Sequence, residues 1–144
     1  MKDKYFFDTN VFIYALVESS NEKDIGKKQT ALSWIENKEI EVIISSQVLN
    51  EVSNILLKKS KFTPVQIIET LEWMIDSLDV ISLTPEISLT ALDLHYRYQF
   101  SFYDSLIVSG AICSECEYLL TEDLQQGQVI TYKSHLVKVV NPFA

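Results

Sequence analysis

Glycine and proline are scarce in this chain, with three of each among 144 residues. With 47% hydrophobic and 11% aromatic residues beside that shortage, a disordered or low-complexity chain is excluded. Cysteine occurs only as Cys113 and Cys116, too few for a disulfide framework. No apolar run is longer than Val11–Val17, far short of a membrane span. Only Tyr5–Phe7 separates the charged start, Met1 to Lys4, from Asp8, so no secretory signal is expected. Basic residues are the last shortage: 12 Lys and Arg stand against 20 Asp and Glu, a net charge of −8. That charge opposes non-specific binding of phosphate through the bulk field, so a nucleic-acid partner would need another source of attraction. The expectation is a cytoplasmic protein with no membrane partner, folded as one domain over residues 1–144.

What is present is an alternation of short apolar runs and longer stretches of helical period. Tyr5-Phe6-Phe7, Val42-Ile43-Ile44, Val80 to Leu83, Tyr118-Leu119-Leu120 and Val137 to Val140 read as strands, with Val129 to Tyr132 as a small edge strand. Helices are expected over Asn10–Val17, Ile25–Asn37, Gln47–Lys59, Thr63–Leu78, Pro85–Tyr98 and Ser101–Cys116. Thr63-Pro64 is a helix-start signal, with threonine as the cap and proline in the first turn. Strands alternating with helices imply an α/β fold with parallel pairing and helices on both faces of the sheet. Ligands of such sheets bind beyond the carboxyl ends of the strands, so the residues just after each strand matter most.

Acids stand at several of those places. Asp8 follows the first strand in Phe7-Asp8-Thr9-Asn10, where it also suits a helix N-cap. Asp123 follows Leu119-Leu120 in Thr121-Glu122-Asp123, with Glu122 as its competitor for the same role. Asp104 lies in Ser101-Phe102-Tyr103-Asp104, a capping-box pattern, yet it shares a helix face with Val108 and Ala111 on an almost wholly apolar helix. A carboxylate on such a face needs a cation or a donor. Glu51 lies on the flank of the Gln47–Lys59 stripe, in one lane with Asn54 and Lys58. If these acids converge, they need a counter-ion, and an all-oxygen set suits Mg²⁺ or Mn²⁺. One or two such ions would serve phosphodiester hydrolysis by an activated water.

The strings Phe7-Asp8-Thr9-Asn10-Val11, Ser46-Gln47-Val48-Leu49-Asn50-Glu51-Val52, Tyr103-Asp104-Ser105-Leu106-Ile107 and Leu120-Thr121-Glu122-Asp123-Leu124 resemble the PIN-domain nucleases. The likeness is greatest to the VapC-type toxins of bacterial toxin–antitoxin pairs. Gly127-Gln128 and the closing Val139-Val140-Asn141-Pro142-Phe143 continue it, so it covers essentially the whole chain. The resemblance implies a three-layer α/β/α sandwich around a central parallel sheet. It implies that Asp8, Glu51, Asp104 and Asp123 form an acidic quartet that holds metal, with Thr9, Asn10 and Thr121 orienting acids or water. It further implies an RNA substrate, a small antitoxin protein as inhibitor, and a homodimer.

Other features invite simpler readings. Cys113 and Cys116 form a C-x-x-C string near a helix C-terminus and read as buried thiols, not a redox or zinc motif. His95 and His135 share no motif that would make them an acid–base pair. Lys58, Lys59 and Lys61 form the compact basic run, a solvated helix end that could also meet substrate phosphate. Lys27-Lys28 is a smaller one. Tyr5, Phe6, Phe7, Trp34, Trp73, Phe102 and Tyr103 are expected in the core, with base stacking by Phe102 or Tyr103 as the lesser reading. The functional expectation is a metal-dependent endoribonuclease. Its rivals are a PIN-like binding module without catalysis, and a haloacid-dehalogenase-like phosphohydrolase, whose second acid would stand where Asn10 does.

Overall fold

Apolar runs and periodic stretches alternate in the folded chain as they do in the sequence. A computed structural model describes residues 1–59 and 61–144. Its elements are β1 (Asp3–Phe7), α1 (Thr9–Leu16), α2 (Glu22–Ile35), β2 (Ile40–Ser45), α3 (Ser46–Lys58), α4 (Pro64–Ser77), β3 (Asp79–Ile81), α5 (Pro85–Tyr98), α6 (Phe102–Cys113), β4 (Tyr118–Leu120), β5 (Val129–Tyr132) and β6 (His135–Val140). The strands make one six-stranded sheet in the order β3-β2-β1-β4-β6-β5. Every pairing is parallel except β5 with β6, so the expected parallel sheet carries an antiparallel edge. A tight turn through Lys133, at φ 52°, joins those two strands and permits the hairpin.

Alternation along β1 sets the layers. Tyr5 and Phe7 turn to one face and meet Trp34 of α2, at ring-centroid distances of 5.3 and 6.5 Å. Phe6 turns to the other face and meets α6 at Gly110, where a Cβ would stand 3.0 Å from Phe6 Cζ. Glycine at that point lets the helix backbone settle onto the sheet. From Ser105 to Ile112 every residue of α6 is buried, which accounts for its lack of any polar stripe.

Local chemistry explains the element ends. Thr63 caps α4 through Gln66 N, and Gln66 Oε1 accepts from Thr63 N in return, with Pro64 opening the first turn. Helix α5 stops at Gln99, which takes the left-handed conformation at φ 64°. Helix α6 ends at Cys113 and not at Cys116. Glu115 at φ 59° turns the chain there, and Cys116 N reaches Ala111 O at 2.9 Å. The cysteines are free, and burial pushes the Cys116 thiol up to about 11.

Three aromatic residues expected in the core stand outside it. Trp73 is 45% exposed because α4 buries Ile67 and Met74, and its neighbour falls off that stripe. Phe102 and Tyr103 are 39% and 70% exposed, since α6 goes under cover only from its second turn. Among the described residues, no helix is long and apolar enough to cross a membrane.

Candidate active site

The chain leaves β1 toward β2 and β3 on one side of the sheet, then returns to β4 on the other. The crossovers therefore diverge between β1 and β4, and an open crevice forms beyond the carboxyl ends of those two strands. Phe7 pairs with Leu120 at the last rung, and Asp8 N donates to Leu120 O at 3.0 Å. The residues that follow, Asp8 on one strand and Thr121-Glu122-Asp123 on the other, are thereby set side by side.

Asp8 is 5% exposed and caps α1. Its Oδ1 accepts from Thr9 N at 2.7 Å, and its Oδ2 accepts from Thr121 Oγ1 at 2.7 Å. Asn10 Nδ2 lies 3.5 Å from Asp8 Oδ2, 3.4 Å from Thr121 Oγ1 and 3.2 Å from Asp123 Oδ2, so one amide bridges both strand-end acids. Thr121 Oγ1 also accepts from Asp123 N at 3.1 Å. Asp8 is thus both the cap of α1 and the residue that follows β1.

Glu51 is half-buried in the second turn of α3. Gln47 Nε2 donates to its Oε1 at 2.7 Å and also approaches Tyr103 O at 3.4 Å, tying α3 to the start of α6. Glu51 shares a cleft of about 340 Å³ with Asp8, Thr9, Asn10, Glu122 and Asp123. Asp104 is half-buried, not sunk in the core, and Ser101 Oγ caps its backbone N–H at 3.1 Å. Its charge is felt at Asp123.

The electrostatics record this crowding. Burial pushes the Asp8 carboxyl up to about 7; the hydrogen bonds from Thr121 and Thr9 oppose that, while the charges of Asp123 and Glu51 add to it. Asp123 is also raised, first by burial and then by Asp104. Carboxylates held together this way call for a cation, and the donor set is all oxygen, which suits a hard divalent ion. Two buried oxygens in the same cleft, Thr9 Oγ1 and Asn10 Oδ1, have no hydrogen-bond partner. Among the described residues, no three acids, thiols or imidazoles are placed close enough to hold a metal ion between them.

Glu122 and Asp123 take different company. Glu122 accepts from Tyr14 OH at 2.7 Å and from Lys27 Nζ at 3.1 Å, while Asp123 joins Asp8 through Asn10. Lys27 also donates to Tyr14 OH at 3.1 Å and lies over the Tyr14 ring. Sequence reasoning placed Lys27 only in a small basic pair and gave Tyr14 and Gln47 no role; only the i, i+4 spacing of Gln47 and Glu51 signalled any of these contacts. The other basic run is not brought to the acids. Lys58, Lys59 and Lys61 line a separate cleft with Leu16, Glu18 and Phe62. His95 and His135 turn to the backbone carbonyls of Phe100 and Cys116, and do not meet.

A family model, the PIN domain, matches residues 5–130. The chain belongs to the PIN-domain family. This is a nuclease family whose VapC-type members are metal-dependent ribonucleases. Solved structures agree on the fold. A toxin–antitoxin complex from Klebsiella pneumoniae is 20% identical with a TM-score of 0.64, over 83% of this chain and 86% of that one. The Mycobacterium tuberculosis toxin VapC20, which cleaves the sarcin–ricin loop, is 18% identical with a TM-score of 0.60, over 80% and 86%. FitAcB from Neisseria gonorrhoeae is 14% identical with a TM-score of 0.61, over 96% and 98%. No curated protein matches the chain in a sequence comparison. Within a PIN domain, the cleft between β1 and β4 is the place to seek the chemistry.

Proposed function

We propose that residues 1–144 form one nuclease unit that hydrolyses RNA phosphodiesters internally, using one or two Mg²⁺ or Mn²⁺ ions. The observation that carries this reading is the pairing of Asp8 with Asp123 through Asn10 at the switch point of a PIN-domain sheet. Asp8, Asp104 and Asp123 would hold metal, and Glu51 would hold a second ion or orient the attacking water. Bound there, the ion supplies a water activated near neutral pH and a countercharge for the phosphate.

The chain's own groups do the positioning. Thr121 and Thr9 N direct the two Asp8 oxygens, and Asn10 holds the Asp8–Asp123 spacing. Gln47 occupies Glu51 Oε1, which leaves Oε2 to accept a proton from water. Glu122, paired with Lys27, would support the rim, and the fourth acid would be Asp123; the ion pair supports this choice. Lys58, Lys59 and Lys61 would meet phosphates further along the strand. No side-chain nucleophile or covalent intermediate is required. Asn10 also weighs against the dehalogenase-like reading, because it serves as a bridging amide where that chemistry uses an acid.

We further propose that the protein is a cytoplasmic toxin restrained by a small antitoxin, and that it works as a homodimer. Solved relatives include toxin–antitoxin complexes from Klebsiella pneumoniae and Salmonella typhimurium, the latter bound to DNA. Exposed Val65 and Ile68 on α4, and Leu89 and Leu92 on α5, offer apolar surface for such partners. The decisive experiment compares the wild type with Asp8→Asn and Asp104→Asn in RNA cleavage with Mg²⁺ or Mn²⁺. Loss of at least about a hundredfold in both is expected, the scale of removing a group that acts in the transition state. Full activity in both would overturn the assignment.

A further inference from the structure

Beside the acid cleft lies a second and larger one, of about 510 Å³, within the range of roughly 300–1,000 Å³ usual for small-molecule sites. Glu51 belongs to both clefts and is the wall between them. A group seated in the second cleft is therefore one side chain away from the acids. Its floor is apolar, from Leu83 and Leu106, and Ser46 Oγ fixes Leu83 in place by accepting from its backbone N–H at 3.2 Å.

The rim differs in kind from the floor. Asn50 and Asn54 are exposed on consecutive turns of α3, on the same side as Glu51. Each carboxamide carries both donors and an acceptor. Tyr103, 70% exposed, closes the opposite rim, and Gln47 Nε2 reaches its backbone oxygen at 3.4 Å. Gln47 is itself 5% exposed, and both hydrogen bonds of its amide use Nε2, so Oε1 is left buried without a donor. An apolar floor, an exposed tyrosine and two exposed carboxamides form a set that matches one chemical class. A nucleobase offers flat faces for stacking and an edge of donors and acceptors, and single-stranded RNA is read by such contacts.

We propose that this cleft is a nucleobase subsite, in which Tyr103 stacks on a base next to the scissile phosphate and Asn50 and Asn54 read its edge. The proposal rests on the nuclease reading above for its substrate class. It makes Tyr103, Asn50 and Asn54 determinants of cleavage sequence, and it assigns them no part in the chemistry.

The test uses the full chain with Tyr103→Ala, Tyr103→Phe and the double variant Asn50→Ala, Asn54→Ala, each checked for folding by thermal unfolding. Fluorescence anisotropy with RNA homopolymers of A, C, G and U, in a chelator that stops metal-dependent cleavage, measures base-ranked binding without turnover. The wild type should bind one homopolymer in preference. Tyr103→Ala should weaken that binding about tenfold and the asparagine pair should flatten the ranking, while Tyr103→Phe keeps both. In RNA cleavage the loss should fall on KM and on the base preference at one position, not on kcat. Equal binding of all four homopolymers by the wild type, or unchanged ranking in both variants, would overturn the subsite. Base-ranked binding by a wild type that hydrolyses no RNA would sink the nuclease reading and leave the subsite standing.

Discussion

Thr121 Oγ1 donates to Asp8 Oδ2 at 2.7 Å across the seam between β4 and β1, and both groups are almost fully buried. The same hydroxyl accepts from Asp123 N, so one small side chain orients both strand-end acids. Thr121→Val keeps the shape and removes the hydroxyl. The Asp8 carboxyl loses a bond that favours its charged form, so its pKa should climb above about 7. Mn²⁺ affinity at pH 7 should fall roughly 10–100-fold, as for other partners that orient metal ligands. Titration calorimetry reads this directly, and an unchanged affinity would refute the role given to Thr121.

An ion held by Asp8, as proposed, must displace its proton. With that carboxyl pushed up to about 7, filling the site at pH 6 should release close to one proton, and at pH 8.5 almost none. Calorimetry in two buffers of different ionisation enthalpy counts the protons. No change in proton release between the two pH values would show that Asp8 is already ionised.

The metal-free protein should lose stability as pH rises. Folded Asp8 keeps its proton up to about pH 7, whereas an unfolded aspartate gives it up near pH 4. Between those values the folded chain holds more protons, so stability present below pH 4 is lost as pH climbs through 7. Asp8→Asn removes the buried charge. In the presence of a chelator it should raise Tm at pH 8, at about 2–4 °C for each kcal/mol gained, and the gain should shrink at pH 5.5. A variant less stable than the wild type at pH 8 would contradict the burial argument.

Gly110→Ala sets two effects against each other. Alanine favours the helix by about 1 kcal/mol, but its Cβ would press on Phe6 at 3.0 Å, and overpacking a core costs about 1–3 kcal/mol. Phe6 is wholly buried under α6, so the ring has no free direction in which to yield. Net destabilisation is expected in urea titration, with partial rescue by Phe6→Leu. A stabilised single variant would mean that the helix lifts at little cost.

The order of strands and helices was legible because its signals are local. The apolar run before Asp8, the Thr63-Pro64 start and the period of α3 each act within a few residues, and each appears where expected. The acids at strand ends were legible for the same reason, since a parallel sheet delivers them to one edge. Partnership across the fold was not. Glu122 and Asp123 are neighbours that suit the same role, and only the folded chain shows that Lys27 and Tyr14, from α2 and α1, bond Glu122 while Asn10 bonds Asp123. Lys58 lies in the lane of Glu51, yet seven residues of helix carry it about 10 Å along the axis, to another cleft. Tyr103 looked like core from its apolar neighbours, but the first turn of α6 projects beyond the cover of the sheet. Sequence period and caps settle what a segment becomes, because those forces reach only one turn. Which charges and rings meet depends on where the sheet order puts the segments, and that is a property of the packed whole.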